Sequence, residues 1–142
     1  YTGEMMALLL AEAKKRGYEP DSTVCATDVP AGRPEPWMCV QNVMNLGVYP
    51  FEACVKVDDT IPGIEEGLNA GMWTVGLAKT GNEIGLNEKE IHDLEPDVLQ
   101  TRLDAAYLRM HQAGAHYVVD GIWDVPAVLE AIQDRLTQGE RP

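Results

Sequence analysis

The stretch that most constrains the fold is residues 54–60, which read Cys-Val-Lys-Val-Asp-Asp-Thr. Residues 54–57 form a short run rich in apolar and β-branched side chains, a pattern typical of a buried strand. The run ends at Asp58 and Asp59, and after Thr60 the chain turns into a helix. Because open α/β sheets bind ligands beyond the carboxyl ends of their parallel strands, two carboxylates at this point indicate a functional edge.

Strand-like and helix-like patterns alternate along the rest of the chain. Apolar runs predict strands at 22–26, 54–57, 72–77 and 115–119, and amphipathic spacing predicts helices at 4–16, 37–46, 61–70, 88–94, 95–112 and 125–136. Strands that alternate with helices form parallel βαβ units, with helices on both faces of the sheet. The predicted fold class is therefore α/β with a Rossmann-like parallel sheet, and 142 residues make at most one ordinary domain.

Asp58 and Asp59 are adjacent acids at the end of a buried strand, an arrangement that is costly unless a cation or hydrogen-bond donors offset it. Mg²⁺ prefers one or two carboxylates together with phosphate oxygens and water, so a magnesium site is one interpretation. The other is a solvated turn in which one of the two aspartates caps the following helix.

Arg33 stands in a loop stiffened by four residues that punctuate it, Pro30, Gly32, Pro34 and Pro36. A guanidinium held in this way, at the entrance of a helix, can grip a phosphoryl group with two hydrogen bonds. Alternatively, Arg33 is a surface residue that pairs with Glu35 or Asp28. An arginine and carboxylates on one edge are the parts of phosphoryl-transfer chemistry, although no motif supplies a nucleophile.

Composition excludes several classes of function. The formal net charge of −12 opposes binding to nucleic acid, and no apolar run reaches the length of about 18–20 residues that crosses a membrane. Cys25, Cys39 and Cys54 lie in apolar runs without a CxxC pair, which favours buried free thiols and a reducing cytoplasm. The three histidines show no metal-ligand spacing with these cysteines, so the sequence does not predict structural zinc.

Three motifs resemble the phosphonoacetaldehyde hydrolases (phosphonatases), which are members of the haloacid dehalogenase superfamily. They are Val-Pro-Ala-Gly-Arg-Pro-x-Pro-Trp-Met at 29–38, Lys-Val-x-Asp-Thr at 56–60 and Asn-Ala-Gly-Met-Trp-Thr-Val-Gly at 69–76. The first six residues also resemble the family, just after its second motif. The likeness covers essentially the whole chain, and the arginine framed by prolines is specific within the superfamily.

The resemblance implies a Mg²⁺-dependent hydrolase that cleaves the carbon–phosphorus bond of a small phosphonate, phosphonoacetaldehyde, to acetaldehyde and phosphate. In the family, a cap-domain lysine forms a Schiff base with the aldehyde while a core aspartate attacks phosphorus. Carried onto this sequence, Arg33 is the catalytic, phosphoryl-binding arginine and Asp59 is the metal ligand. Asp58 stands beside Asp59 and acts through water or by orienting its neighbour. The family also implies a homodimer.

Some family parts have no counterpart here. The strand with the nucleophilic aspartate, the cap domain and the Ser/Thr phosphate motif would all precede Tyr1. Many relatives also place a second aspartate four positions after the metal ligand, where this chain has Gly63. Residues 1–142 are thus expected to be the C-terminal portion of a haloacid dehalogenase-like core domain, one that neither folds well nor catalyses alone.

Two other interpretations stay open. One is a different phosphatase or phosphomutase of the same superfamily, which needs no Schiff-base lysine. The other is a phosphoreceiver-like regulatory domain, which also places paired acids and Mg²⁺ on an α/β edge. Such a domain needs a further aspartate at the end of a later strand, whereas the strand at 72–77 ends in Ala78 and Lys79.

Overall fold

In the computed structural model, which describes residues 1–142, three strands form one parallel sheet. The strands are β1 (Val55–Asp58), β2 (Trp73–Leu77) and β3 (Tyr117–Val119). They lie in the order β1-β2-β3, so that β1 and β3 are the two edges. Asp58 pairs with Gly76, and Gly76 pairs with Val118. The strands therefore end on one side of the sheet, and the predicted α/β class is confirmed.

Six α-helices accompany the sheet: α1 (Gly3–Lys15), α2 (Trp37–Leu46), α3 (Ile61–Asn69), α4 (Glu88–Asp93), α5 (Pro96–Gln112) and α6 (Val125–Thr137). Helices α3 and α5 share a core built around Ile64, Ala106 and Met110. Helix α6 packs against Trp73 and Val75, which point to the opposite face because side chains alternate along a strand. Both faces of the sheet are covered, as expected for a Rossmann-like fold.

The helix ends lie within one residue of the predicted ranges because local signals set them. Thr60 caps α3 by accepting the N–H of Gly63 at 3.1 Å, and Pro62 stands in the first turn, where proline is tolerated. The turn after α1 contains Gly17, and α2 ends at Gly47; both glycines have the positive φ that favours this residue. Short 3₁₀ turns lie at Ala26–Asp28, Phe51–Ala53 and Ile122–Asp124.

The strand predicted at 22–26 is wrong. Cys25 is buried with extended backbone angles, but none of these residues pairs with a strand, and Ala26 already begins a 3₁₀ turn. The Ser22 hydroxyl instead donates to Asn42 Oδ1 at 2.8 Å and accepts from Asn45 at 3.2 Å. An apolar run reports that a segment is buried, whereas a strand also needs a neighbour that satisfies its backbone.

None of the helices combines the length and the apolar character that crossing a membrane requires.

Candidate functional site

Arg33 reaches the carboxyl end of β1. Its Nη1 lies 3.5 Å from Asp58 Oδ1 and 3.3 Å from Thr60 Oγ1, and 37% of the side chain is exposed. Of the two alternative partners considered from the sequence, Asp28 accepts instead from the backbone N–H of Cys25 at 2.7 Å. The structure thus brings the arginine of the proline-rich loop together with the first of the two adjacent acids.

The Arg33 loop is tied to the end of α3. Asn69 Nδ2 donates to the carbonyl oxygen of Pro34 at 2.9 Å, and Glu35 N–H donates to the carbonyl of Gly32 at 3.2 Å. The backbone on the C-terminal side of Arg33 therefore has a fixed position. The guanidinium projects from it towards Thr60, the N-cap residue of α3.

Asp58 is almost enclosed by donors, with 10% of its side chain exposed. Its Oδ1 accepts from Thr60 N–H at 3.0 Å and from Thr60 Oγ1 at 2.7 Å, and its Oδ2 lies 3.1 Å from Lys56 Nζ. Burial alone would raise the pKa of Asp58, but the Thr60 hydrogen bond and the charges of Lys56 and Arg33 outweigh it and lower the pKa. Asp58 is therefore an ionised carboxylate already surrounded by cations and hydroxyl.

Lys56 was not predicted as a site residue, because a lysine in a strand usually points to a face or snorkels to solvent. Its Nζ donates to Glu66 Oε2 at 2.8 Å, and Glu66 is completely buried on α3. Burial would lower the pKa of Lys56, but the hydrogen bond to Glu66 and the charges of Asp58 and Glu66 raise it overall. A signal was present in the sequence: strand alternation places Lys56 and Asp58 on the same face.

Two glycines let α3 lie against that face of β1. A Cβ atom on Gly63 would lie 2.0 Å from Asp58 Cγ, and one on Gly67 would lie 2.8 Å from Lys56 Cβ. Four residues apart, both glycines lie on one side of the helix. The departure from the family at Gly63 thus has a steric reason, since the Asp58 carboxylate fills the space that a side chain at this position would need.

Asp59 has different surroundings from Asp58. Its Oδ2 accepts the backbone N–H of Asn82 at 3.0 Å, whereas its Oδ1 accepts no hydrogen bond, and the residue is half-buried. The loop that follows β2 lies against it, because a Cβ atom on Gly81 would be 2.3 Å from Asp59 Cβ. The loop that follows β2 is therefore part of the Asp59 environment.

The donor set fits Mg²⁺ only in part. Asp59 keeps one hard anionic oxygen without a partner, which is the kind of ligand that Mg²⁺ takes. Asp58 already interacts with Lys56 and Arg33, so a metal would compete with two cations for its oxygens. No group of three or more histidine, cysteine, aspartate or glutamate side chains comes together in the chain. These residues can therefore contribute one direct carboxylate, with the other ligands coming from phosphate, water or elsewhere.

A groove of about 800 Å³ runs along the free edge of β1. Most of its walls are apolar, and Val24, Cys39 and Val55 are among the residues that line it. Its polar walls include Lys56 and Glu66. Burial raises the pKa of the Cys39 thiol to about 11, and all three cysteines are free, as predicted. We call the groove along the free edge of β1 the edge groove.

Asp120 lies beyond the end of β3, and sequence analysis did not single it out. Its Oδ2 lies 3.4 Å from Lys79 Nζ, and its Oδ1 accepts from the Tyr107 hydroxyl at 2.8 Å. Burial and this carboxylate raise the pKa of Tyr107 to about 12. The ion pair between Asp120 and Lys79 thus joins the segments that follow β3 and β2.

Comparisons with known proteins cover the whole chain. It is 54% identical to a phosphonoacetaldehyde hydrolase-like protein of Syntrophobacter fumaroxidans and 52% identical to a phosphonoacetaldehyde hydrolase of Nitratidesulfovibrio vulgaris, each over 142 residues that make up 51% of the relative. The chain therefore spans about half the length of these relatives. No family model matches it.

Solved structures give the same result. A phosphonoacetaldehyde hydrolase-like protein from Oleispira antarctica superposes with a TM-score of 0.97 at 48% identity, over 100% of this chain and 51% of that one. A haloacid dehalogenase-like protein from Agrobacterium tumefaciens, 22% identical, shares the fold with a TM-score of 0.68 over 94% of this chain and 52% of its own. The resemblance found in the sequence motifs is confirmed.

Proposed function

We infer, on the premise that the chain belongs to the phosphonoacetaldehyde hydrolase family, that it forms part of an enzyme that hydrolyses phosphonoacetaldehyde. The reaction breaks the carbon–phosphorus bond and yields acetaldehyde and phosphate. The observation that carries this proposal is the position of Arg33, whose guanidinium meets Asp58 and Thr60 at the carboxyl end of β1. A phosphoryl group placed there could accept hydrogen bonds from the guanidinium nitrogens of Arg33 other than Nη1.

Asp59 is proposed as the residue that holds Mg²⁺ through its unpartnered Oδ1. When bound, the ion would neutralise phosphoryl charge and orient the group for in-line attack. The chain's own contribution is the placement of the oxygen, since the N–H of Asn82 fixes the other oxygen of the same carboxylate. Asp58 is proposed to orient Arg33 and Lys56 through its ion pairs with them, and not to bind the metal directly.

The nucleophilic aspartate and the Schiff-base lysine are proposed to come from residues outside this chain. Two observations support this division. The relatives are about twice as long as the aligned stretch, and β1 has a free edge bordered by the edge groove. A further strand could pair with that edge and bring a carboxylate to the same side of the sheet as Arg33. We accordingly expect the 142-residue chain by itself to be inactive.

The test uses the whole polypeptide that carries this chain, supplied with Mg²⁺ and phosphonoacetaldehyde. We expect acetaldehyde and phosphate in equal amounts. Borohydride should reduce the Schiff base between the substrate and a lysine, which leaves the two covalently linked. Hydrolysis of a sugar phosphate without a trapped lysine would instead favour the other phosphatases of the superfamily. Steady release of acetaldehyde by residues 1–142 alone would contradict the proposed division between the two parts.

A further inference from the structure

Four charged side chains alternate in sign from the interior to the exposed edge. Glu66 Oε2 lies 2.8 Å from Lys56 Nζ, Lys56 Nζ lies 3.1 Å from Asp58 Oδ2, and Asp58 Oδ1 lies 3.5 Å from Arg33 Nη1. Their side chains are 0%, 22%, 10% and 37% exposed in that order. We propose that Glu66 and Lys56 are positioning residues: by holding Asp58, they keep the guanidinium of Arg33 available for a phosphoryl group. This inference rests on the proposed function of Arg33.

Lys56 is the principal counter-ion of Asp58. It lies closer to the carboxylate than Arg33 does, and it is less exposed, so solvent screens its attraction less. Without Lys56, Arg33 would be the remaining cation beside a nearly buried carboxylate. An arginine and a carboxylate then favour two parallel hydrogen bonds, which occupy the donors that a phosphoryl group would use.

Glu66 explains why the ammonium stays where it is. A lysine has a flexible four-carbon stem, and Glu66 Oε2 fixes its end. The second carboxylate oxygen, Oε1, is buried without any hydrogen-bond partner, so Lys56 is the one ion-pair partner of the Glu66 side chain. A buried ion pair is weak grounds for stability, because apolar replacements of similar volume are often neutral or stabilising. The position of Lys56 is what this pair provides.

The decisive variant removes both members, as Lys56→Met with Glu66→Leu in the whole polypeptide. Net charge is unchanged, and neither Lys56 nor Glu66 is left as an unpaired charge. Asp58 loses Lys56 but keeps its contacts with Arg33 and Thr60, so we expect the melting temperature to stay within about 3 °C of the parent. If the pair positions Arg33, kcat/KM falls by about 100-fold, mainly through KM. The inhibition constant of inorganic phosphate should rise with it.

A purely structural role predicts the opposite for this double variant: once folding is intact, kcat/KM and phosphate affinity return to the parent values. That result overturns the inference. Removing the exposed ion pair at the C-terminal end of α1, Lys14→Met with Glu19→Leu, is the matched control and should change neither constant. If the double variant does not fold, Glu66→Gln tests the same inference, because it keeps the shape of the side chain but removes the charge that holds Lys56. It too should lower kcat/KM and phosphate affinity.

Phosphate binding measured by calorimetry separates this inference from the proposed function. A parent protein that binds phosphate but does not cleave phosphonoacetaldehyde overturns the proposed function, and comparison with the double variant still decides the role of Lys56 and Glu66. Equal phosphate affinity in parent and double variant, or no phosphate binding by the parent, overturns the inference.

Discussion

The Asp58 carboxylate carbon lies 2.0 Å from the point that a Cβ atom on Gly63 would occupy. A side chain on residue 63, in the first turn of α3, would overlap the Asp58 carboxylate at the end of β1. In this chain the Asp58 carboxylate occupies the space and residue 63 is a glycine. The carboxylate is placed by the strand, where Lys56, Thr60 and Arg33 can all reach it.

Gly63→Ala should destabilise the protein by about 1–3 kcal/mol, because the added methyl group overlaps a carboxylate that is held on both sides. Urea unfolding measures the change. Gly3→Ala is the control, since a Cβ atom on that helical glycine meets nothing within 4 Å. Combining Gly63→Ala with Asp58→Gly should abolish the penalty, whereas an equal loss in both backgrounds would show that Asp58 is not the obstacle.

The exchange of the two residues, Asp58→Gly with Gly63→Asp, is expected to fold better than Gly63→Asp alone. The single variant puts two carboxylates into one volume, while the double variant contains one. Thermal unfolding of the three proteins checks the order. Equal melting temperatures for the single and double variants would contradict the account of this contact.

Asp59→Asn should raise the Mg²⁺ concentration for half-maximal activity by about 10–100-fold, since the amide lacks the anionic oxygen proposed to hold the ion. Calorimetric titration of Mg²⁺ gives a second readout that does not depend on turnover. Asp58→Asn should change KM for the substrate far more than the Mg²⁺ requirement. Asp104→Asn, on the exposed side of α5, is the control. A larger Mg²⁺ effect at Asp58 than at Asp59 would reverse the assignment.

His116 should make stability depend on mildly acidic pH. Its Nδ1 accepts the N–H of Thr74 at 3.0 Å, and burial together with the charge of Arg135 lowers the pKa of the imidazole. The unfolded chain therefore binds a proton first as pH falls through about 6.5, and stability decreases from there towards the folded-state pKa. Above that range this group contributes no pH dependence.

Thermal unfolding between pH 7.5 and pH 5 measures this effect against His116→Asn, which keeps an acceptor near the Thr74 N–H but does not titrate. The parent should lose stability relative to the variant as the pH drops. A constant difference between the two proteins over this range would contradict the assignment.

Sequence patterns predicted the helices closely because caps, glycines and amphipathic spacing act locally. The strand at 22–26 failed because pairing depends on a neighbour that an apolar run does not specify. The homodimer and the cytoplasmic location stay predictions, as do the roles of Arg33, Asp58 and Asp59.

Within the site, sequence could name the charged residues at the strand end but not their partners. Lys56 looked like an ordinary strand lysine, and nothing in the sequence singled out Glu66 on the following helix. Their contact exists because Gly63 and Gly67 let α3 approach β1, a feature that depends on how two elements meet in space. The close approach of α3 also explains why residue 63 is a glycine. The motif alone showed only that an aspartate found in many relatives is absent at this position.

The measurement that tests the central claim most directly is kcat/KM of Arg33→Lys with phosphonoacetaldehyde, in the whole polypeptide. Lysine keeps the charge but not the planar fork, so we expect a loss of at least about 100-fold with an unchanged melting temperature. Glu35→Gln, in the same loop, should behave like the parent. Parent-like turnover by Arg33→Lys would contradict the proposal that this arginine binds the phosphoryl group.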